Sequence, residues 1–155
     1  DQEALRKALK EGYIDFVATD HAPHALEGKS NSYMDCPSGM PSIQHTLLVL
    51  LELVKQGEFN LEDIPNYTSH NASERFKIKD RGYIREGYWA DLVLIDLNSQ
   101  QTVSRENVSY YCGWSPFEGD TFHSKIVSTF VNGNLVYSEG KILEPCKGMQ
   151  LEFNR

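Results

Sequence analysis

Apolar and polar residues in the first forty positions follow a pattern of helix, strand and loop. Residues 1–10 carry leucines four positions apart, which predicts an amphipathic helix that Gly12 can end in the left-handed conformation. Residues 13–19 (YIDFVAT) are rich in β-formers and predict a short strand. Polar residues then run from 20 to 39, a length typical of loops that carry function.

The segment that follows is apolar almost all round. Its middle reads LLVLLELV, so we expect a helix from Pro41 to Gln56 that is buried on several sides and is stopped by Gly57. Helix, strand, loop and helix in succession indicate an α/β unit. Because sites in parallel α/β folds form where loops leave the carboxyl ends of strands, the loop that starts at Asp20 is where we expect the chemistry.

Beyond Asn60 the pattern changes to short helices and then to strands and turns. Helical patches are predicted at 61–66 and 72–76, with Asn60 and Asn71 as N-caps. Strands are predicted at 92–97, 125–131, 135–138 and 141–143, with turns at 132–134 and 139–140. The sequence therefore predicts an α/β unit over residues 1–78 and a mostly β unit over residues 79–155.

Length, charge and cysteine content narrow the classes of function. The 155 residues are too few for a complete (β/α)8 barrel, which needs roughly 250. Fifteen Lys and Arg against 22 Asp and Glu give a net charge of −7, which disfavours nucleic-acid and anionic-membrane partners. The longest apolar run, Leu47 to Leu51, is too short to span a bilayer. Three cysteines without a CxxC pair are typical of the reducing cytoplasm.

The densest cluster of chemically useful residues follows the predicted strand directly. Asp20 at a strand's carboxyl end can bind a divalent metal or act as a general base, and Pro23 stiffens the turn that directs His24. Together with His21, the cluster offers fewer than the four ligands of a closed zinc site, so a metal here needs ligands from elsewhere. The alternative is that Asp20 caps a turn and both histidines are ordinary loop residues.

A second candidate lies just before the apolar helix. Ser38 and Gly39 place exposed backbone N–H groups ahead of a helix N-terminus, where an anion or a carbonyl group can bind. The alternative is that Gly39 serves chain geometry alone. His45 falls in the buried helix and is interpreted as a packing residue. GxSxG, GxGxxG and GxxxxGK[ST] motifs are absent from the sequence, so neither a serine hydrolase nor a phosphate-binding loop is indicated.

Residues 18–24 (ATDHAPH) resemble the segment on the last barrel strand of dihydroorotases, which belong to the amidohydrolase superfamily. Other stretches are similar to parts of the same family, namely Pro37-Ser38-Gly39, SHNAS at 69–73, ADLVLID at 90–96, CGWSPFEG at 112–119 and FVNG at 130–133. ADLVLID is shared across the superfamily, whereas DHAPH with WSPFEG is more specific. Hydantoinases, dihydropyrimidinases and allantoinases typically lack the second histidine of DHAPH.

The resemblance implies a fold and an activity. The fold is α/β, with residues 1–78 as the last part of a metal-dependent (β/α)8 TIM barrel and residues 79–155 as part of a small β-sandwich. The activity is the zinc-dependent, reversible cyclisation of N-carbamoyl-L-aspartate to L-dihydroorotate in pyrimidine biosynthesis. The setting is cytoplasmic, the partner is a small-molecule substrate rather than nucleic acid or membrane, and a homodimer is compatible with the family's habit.

The resemblance also implies roles for individual residues. Asp20 ligates one of one or two zinc ions and carries the proton that reaches the ring nitrogen as it leaves. His24 hydrogen-bonds the substrate carboxylate. Gly39, together with Ser38, offers backbone contacts to the ring amide, and His21 supports the loop.

Some family features have no counterpart in the 155 residues. The HxH metal pair, the carboxylated lysine, two later histidine ligands and the substrate-binding arginine and asparagine are absent, and Ser42 and Gln44 stand where many relatives carry Gly and Glu. The chain opens on Asp1 in a helical pattern, so we expect a piece of a longer protein that is inactive in isolation. The alternatives are another cyclic amidohydrolase, such as an allantoinase or a dihydropyrimidinase (hydantoinase), and a non-catalytic dihydroorotase-like structural partner.

Overall fold

Helices occupy the first half of the chain and strands the second in the computed structural model, which describes residues 1–143 and 148–154. The α-helices are α1 Gln2–Lys10, α2 Leu26–Lys29, α3 Thr46–Lys55 and α4 Asn71–Arg75, with 3₁₀ turns at Leu61–Asp63 and Arg105–Asn107 and a π-helical turn at Asn66–His70. The strands are β1 Leu92–Asp96, β2 Gln101–Thr102, β3 Thr121–Phe122, β4 Lys125–Val131, β5 Asn134–Ser138 and β6 Lys141–Ile142. None of the described helices is long and apolar enough to cross a bilayer.

Helix α1 ends as its sequence predicts. Gly12 adopts φ +77°, and the N–H of Tyr13 donates to the carbonyl of Ala8 at 2.9 Å. The N–H of Gly12 donates to the carbonyl of Leu9 at 3.2 Å, which completes a Schellman motif.

The strand predicted at residues 13–19 is wrong. The segment is not paired as a strand with any of the described residues, and the N–H of Val17 donates a single bond to the carbonyl of Tyr67 at 2.9 Å. A β-forming sequence needs a neighbouring strand to complete a ladder, and no described strand lies beside this one.

Helix α3 is buried on two sides, as predicted, but begins at Thr46 rather than at Pro41. A turn precedes it, in which the N–H of His45 donates to the carbonyl of Ser42 at 3.1 Å. The N–H of Ser42 donates to Nδ1 of His21 at 3.1 Å, which ties this turn to the DHAPH loop. The two faces of α3 belong to two clusters, one of Leu9, Leu50, Phe59, Ile64 and Tyr67 and one of Leu48, Val103 and Phe122.

The two helical patches predicted after Asn60 merge into a nearly continuous helical stretch through the π-helical turn. Asn71 therefore lies inside this stretch and is not an N-cap. Asn60 precedes its 3₁₀ turn in extended conformation, but its side chain donates to the carboxylate of Asp63 at 3.0 Å rather than capping the backbone.

Strands β1, β4, β5 and β6 form an antiparallel sheet in the order β1-β4-β5-β6. The predicted hairpin is confirmed, with Asn132 at φ +51° and Gly133 at φ +80° in the turn between β4 and β5. A second sheet pairs β2 with β3, and each of its strands is two residues long, too short to give a sequence pattern. The described chain is thus mixed helix and sheet, and the predicted boundary at residue 78 stays a prediction.

His45 is fully buried, as its interpretation as a packing residue predicts. Its Nδ1 lies 3.3 Å from both the hydroxyl of Tyr110 and the hydroxyl of Ser115, and its ring stacks on Phe122 with centroids 5.9 Å apart. Nε2 has no hydrogen-bond partner among the described residues. Burial lowers the pKa of His45 and raises the pKa of Tyr110, so His45 is held neutral beside a protonated phenol.

This burial predicts a stability that falls in mild acid. The folded-state pKa of His45 lies below its ordinary value of 6.5, so its contribution is complete above that pH and is lost as the pH drops below it. One such group changes the free energy of unfolding by at most about 1.4 kcal/mol per pH unit. Urea unfolding of the complete protein from about pH 7.5 to about pH 5.5 measures the slope. His45→Phe should flatten the curve, the matched change of the exposed His24 to Gln should not, and an unchanged slope in His45→Phe would contradict the assignment.

Candidate active site

The loop from Asp20 to His24 lies beside the segment that precedes α3. His21 and Met40 pair as in a parallel sheet, and the N–H of Ala22 donates to the carbonyl of Met40 at 3.0 Å. The predicted DHAPH loop and the predicted Ser38-Gly39 loop are therefore brought together by the backbone.

Asp20 sits at the start of this loop with φ +41°, a conformation that is uncommon outside glycine and is often found at functional sites. Its side chain is exposed, and its carboxylate accepts no hydrogen bond from the described residues. A carboxylate in this state is available to a metal ion, a proton or a substrate.

Ser42 holds both neighbours of Asp20. Its hydroxyl donates to the carbonyl of Thr19 at 2.8 Å, and its N–H donates to Nδ1 of His21 at 3.1 Å. Ser42 is buried, so solvent does not compete for these bonds. An accepting Nδ1 leaves the ring proton of a neutral His21 on Nε2. The backbone on either side of Asp20 is thereby fixed while its carboxylate stays free.

His24 is held through its backbone. Its N–H donates to the carbonyl of Ala22 at 2.9 Å across Pro23, and its carbonyl accepts the indole N–H of Trp114 at 2.8 Å. The imidazole is exposed and makes no hydrogen bond to the described residues. The ring is thus presented from a fixed backbone and is available to bind a ligand.

The segment that contains Trp114 is itself anchored beneath the site. The hydroxyl of Ser115 faces His45, and the N–H of Phe117 donates to that hydroxyl at 3.2 Å. The side chain of Gln44 donates to the carbonyl of Asn107 at 2.7 Å and accepts the N–H of Ser109 at 2.8 Å. The CGWSPFEG segment thus lies against the DHAPH loop, although Trp114 and His24 are 90 positions apart in the sequence.

Gly39 needs to be a glycine. Its φ is +88°, and a Cβ on it would lie 2.6 Å from the Cβ of Ala22, inside any normal contact. Chain geometry therefore requires a glycine at this position, whether or not Gly39 also contacts a substrate. Ser38 and Gly39 are both exposed, so their backbone N–H groups are accessible to a ligand.

Sequence reasoning missed the structural roles of Ser42 and Gln44. Both were noted only as departures from relatives, yet each bridges two segments that are far apart in sequence. No periodicity or local motif marks such residues, because their partners are set by tertiary packing.

The described residues do not form a complete metal site by themselves. Within residues 1–143 and 148–154, no group of three or more His, Cys, Asp and Glu side chains is arranged to hold a metal ion. Asp20 fits zinc as one oxygen ligand, because its carboxylate is exposed and unpaired in the described chain. A closed zinc site has four ligands, so the described residues cannot complete one around Asp20.

An apolar cavity of about 510 Å³ lies elsewhere, between the start of α3 and the four-stranded sheet. Leu48 and Ile126 line it, and none of the four predicted site residues does. The candidate site is therefore the open surface formed by the two loops.

A model of the amidohydrolase family matches residues 1–136. The chain belongs to the amidohydrolase family. Its curated relatives include the dihydroorotase of Clostridium acetobutylicum, 37% identical over 140 residues that are 90% of this chain and 33% of the relative. The dihydroorotase of Halobacterium salinarum is 38% identical over 118 residues, 76% of this chain and 28% of the relative. The predicted resemblance to dihydroorotases is thus confirmed, and the chain spans about a third of the length of these relatives.

Two solved structures have a fold similar to that of this chain. The dihydropyrimidinase from Brevibacillus agri matches with a TM-score of 0.83 and 29% identity over 92% of this chain and 32% of that chain. The D-hydantoinase (dihydropyrimidinase) from Thermus sp. matches with a TM-score of 0.83 and 26% identity over 94% of this chain and 33% of that chain. The fold of this chain is therefore similar to part of the fold of a dihydropyrimidinase and of a D-hydantoinase.

Proposed function

We propose that the protein is a zinc-dependent dihydroorotase, which reversibly cyclises N-carbamoyl-L-aspartate to L-dihydroorotate. The observation that carries the proposal is the meeting of three segments at one place, with the DHAPH loop bound both to Met40 and to the indole of Trp114. Curated dihydroorotases are similar to this chain over most of its length, which supports the same conclusion.

The same proposal extends to architecture. Residues 1–78 would be the last part of a (β/α)8 barrel, and residues 79–155 would be part of a β-sandwich. The parallel pairing of His21 with Met40 supports a barrel edge at the site. The antiparallel sheet of β1, β4, β5 and β6 supports the sandwich.

Asp20 would serve both as a zinc ligand and as the proton carrier. Zinc, when bound, supplies a Lewis acid and makes a nucleophile available near neutral pH. In the hydrolytic direction, a carboxylate whose flanking backbone is fixed by Ser42 can accept a proton from the water that adds to the ring carbonyl carbon. It can then deliver that proton to the ring nitrogen as the bond between carbon and nitrogen breaks, and cyclisation reverses these steps. The nitrogen then leaves as a neutral amide rather than as an anion.

The other three residues would bind the substrate. His24 can donate a hydrogen bond to the carboxylate that distinguishes dihydroorotate from dihydrouracil, since its ring is exposed on a fixed backbone. Backbone N–H groups at Ser38 and Gly39 can donate to oxygens of the ring amide. Four predictions from the sequence remain predictions. They are a cytoplasmic location, a homodimer, the lack of nucleic-acid and membrane partners, and the inactivity of the isolated chain.

A second candidate is a dihydropyrimidinase or hydantoinase. The solved structures similar to this chain carry those names, with TM-scores of 0.83 for the two described above. The two candidates share a cyclic amide chemistry and differ in whether the substrate ring carries a carboxylate.

Cyclisation of N-carbamoyl-L-aspartate by the complete protein tests the proposal. We expect activity that a chelator removes and that added zinc restores, because the proposed chemistry needs the metal. A folded, zinc-loaded protein without cyclisation activity would overturn the assignment.

A further inference from the structure

Lys29 lies at the end of α2, within the polar loop that joins the two halves of the site. Its ammonium donates to the carbonyl of Gly39 at 2.5 Å and also to the carbonyl of Pro37. No carboxylate among the described residues forms an ion pair with it. The charge of Lys29 is therefore directed at two backbone carbonyls of the Pro37–Gly39 loop and is not neutralised by an acid.

Packing fixes Lys29 against this loop. The thiol of Cys36 lies 3.8 Å from the carbonyl of Lys29 and 3.6 Å from the carbonyl of Pro37. A Cβ on Gly28 would lie 3.8 Å from the ring of Pro37, an ordinary contact distance, so Pro37 packs directly against α2. The backbone of Lys29 is thus held beside the loop that its ammonium contacts.

The two carbonyl contacts determine where the neighbouring N–H points. The carbonyl of Pro37 and the N–H of Ser38 belong to one peptide unit, and the described residues contain no cis peptide. In a trans peptide the two groups point in opposite directions, so the N–H of Ser38 points away from the ammonium. No acceptor among the described residues takes this N–H.

The contact also changes the strength of the N–H as a donor. An ammonium bonded to a carbonyl polarises the whole peptide unit, and hydrogen bonds in such a chain strengthen one another. The N–H of Ser38 is therefore both aimed and strengthened by the charge of Lys29. Its matching acceptor is an oxygen that carries negative charge, such as a ring carbonyl of a cyclic amide or a carboxylate.

We propose that Lys29 is a positioning residue that orients and polarises the backbone N–H of Ser38 for an oxygen of the substrate. The inference rests on the proposed function, because it assigns the N–H to the dihydroorotate ring. It adds a residue outside the DHAPH and WSPFEG segments to the machinery that determines substrate affinity.

The test is Lys29→Met in the complete, zinc-loaded protein, since methionine keeps much of the length and loses the charge. We expect KM for dihydroorotate to rise about tenfold and kcat to change less than about threefold. Zinc content should be unchanged. Lys29→Arg, which keeps a cation at the site, should recover part of the affinity, whereas Lys7→Met on the exposed face of α1 should behave as wild type.

Hydrogen exchange tests the contact between Lys29 and the loop separately from the role of Lys29 in substrate binding. In Lys29→Met the peptide that spans residues 30–42 should exchange faster, because the loop loses its two charged contacts. Unchanged exchange would overturn the contact itself, whatever the substrate is. Faster exchange with an unchanged KM would overturn the positioning role of Lys29. A wild-type protein that is inactive on dihydroorotate would overturn the proposed function. In that case the exchange result would still show whether the Lys29 contact exists.

Discussion

Asp20→Asn in the complete protein should lower kcat for dihydroorotate by roughly 10³-fold or more. Asparagine keeps the shape of the side chain but can neither carry the proton nor bind zinc as an anion. Folding should be spared, because the carboxylate is exposed and accepts no hydrogen bond from the described residues. The free energy of unfolding should therefore change by less than about 0.5 kcal/mol.

The matched control for this variant is Asp15→Asn. Asp15 is also exposed and precedes the same loop, and the bond that it makes uses its backbone carbonyl, which accepts from Asn71. This variant should retain wild-type activity. Steady-state rates and bound zinc, measured on both variants, test the catalytic and zinc-binding roles of Asp20. Activity of Asp20→Asn above about a tenth of wild type would contradict the catalytic role of Asp20.

Gly39→Ala should be the most damaging small substitution in the site. The new Cβ would meet the Cβ of Ala22 at 2.6 Å, and the residue would have to keep φ +88°. The backbone must shift, and we expect a loss of about 2–4 kcal/mol in the free energy of unfolding together with a raised KM. Urea unfolding and steady-state kinetics measure the two effects.

Two further variants separate the collision from the backbone conformation. Gly12→Ala meets a similar φ of +77° with nothing within 4 Å of its Cβ, so it should cost only about 1–2 kcal/mol. Adding Ala22→Gly to Gly39→Ala removes the atom that collides and should recover part of the loss. If Gly39→Ala were no more destabilising than Gly12→Ala, the close approach of the two loops would be refuted.

Local signals predicted the parts of the fold that depend on local physics. Gly12 ended α1 because glycine takes φ +77° without steric cost. Asn132-Gly133 formed the hairpin because asparagine and glycine both tolerate the positive φ of the turn. The β-forming residues at 13–19 failed as a predictor, since a strand depends on a partner strand that the described residues do not supply. The start of α3 was wrong as well, because residues 43–45 form a turn and the preceding Ser42 is tied to His21, a contact that only the fold creates.

The candidate site, too, was predictable where it depends on local sequence and not where it depends on tertiary contacts. The DHAPH residues could be found from the sequence, because their chemical types are dense and their order resembles a known family. The contacts that hold them could not, since Trp114 reaches His24 and Ser42 reaches Thr19 only through the fold. Lys29 carries no motif of its own, and only its two carbonyl partners single it out.

The substrate carboxylate is the feature that separates the proposed dihydroorotase from the hydantoinase alternative. The proposal assigns that carboxylate to His24, whose ring is exposed on a backbone fixed by Ala22 and Trp114. His24→Ala should therefore reduce kcat/KM for dihydroorotate by about 10–100-fold and change any activity on dihydrouracil less than about threefold.

The most direct measurement is the ratio of kcat/KM for dihydroorotate to kcat/KM for dihydrouracil, determined for the complete, zinc-loaded protein and for its His24→Ala variant. We expect a ratio far above one in the wild type and a fall of about 10–100-fold in the variant. A wild-type protein that prefers dihydrouracil, or a ratio that His24→Ala leaves unchanged, would contradict the proposal.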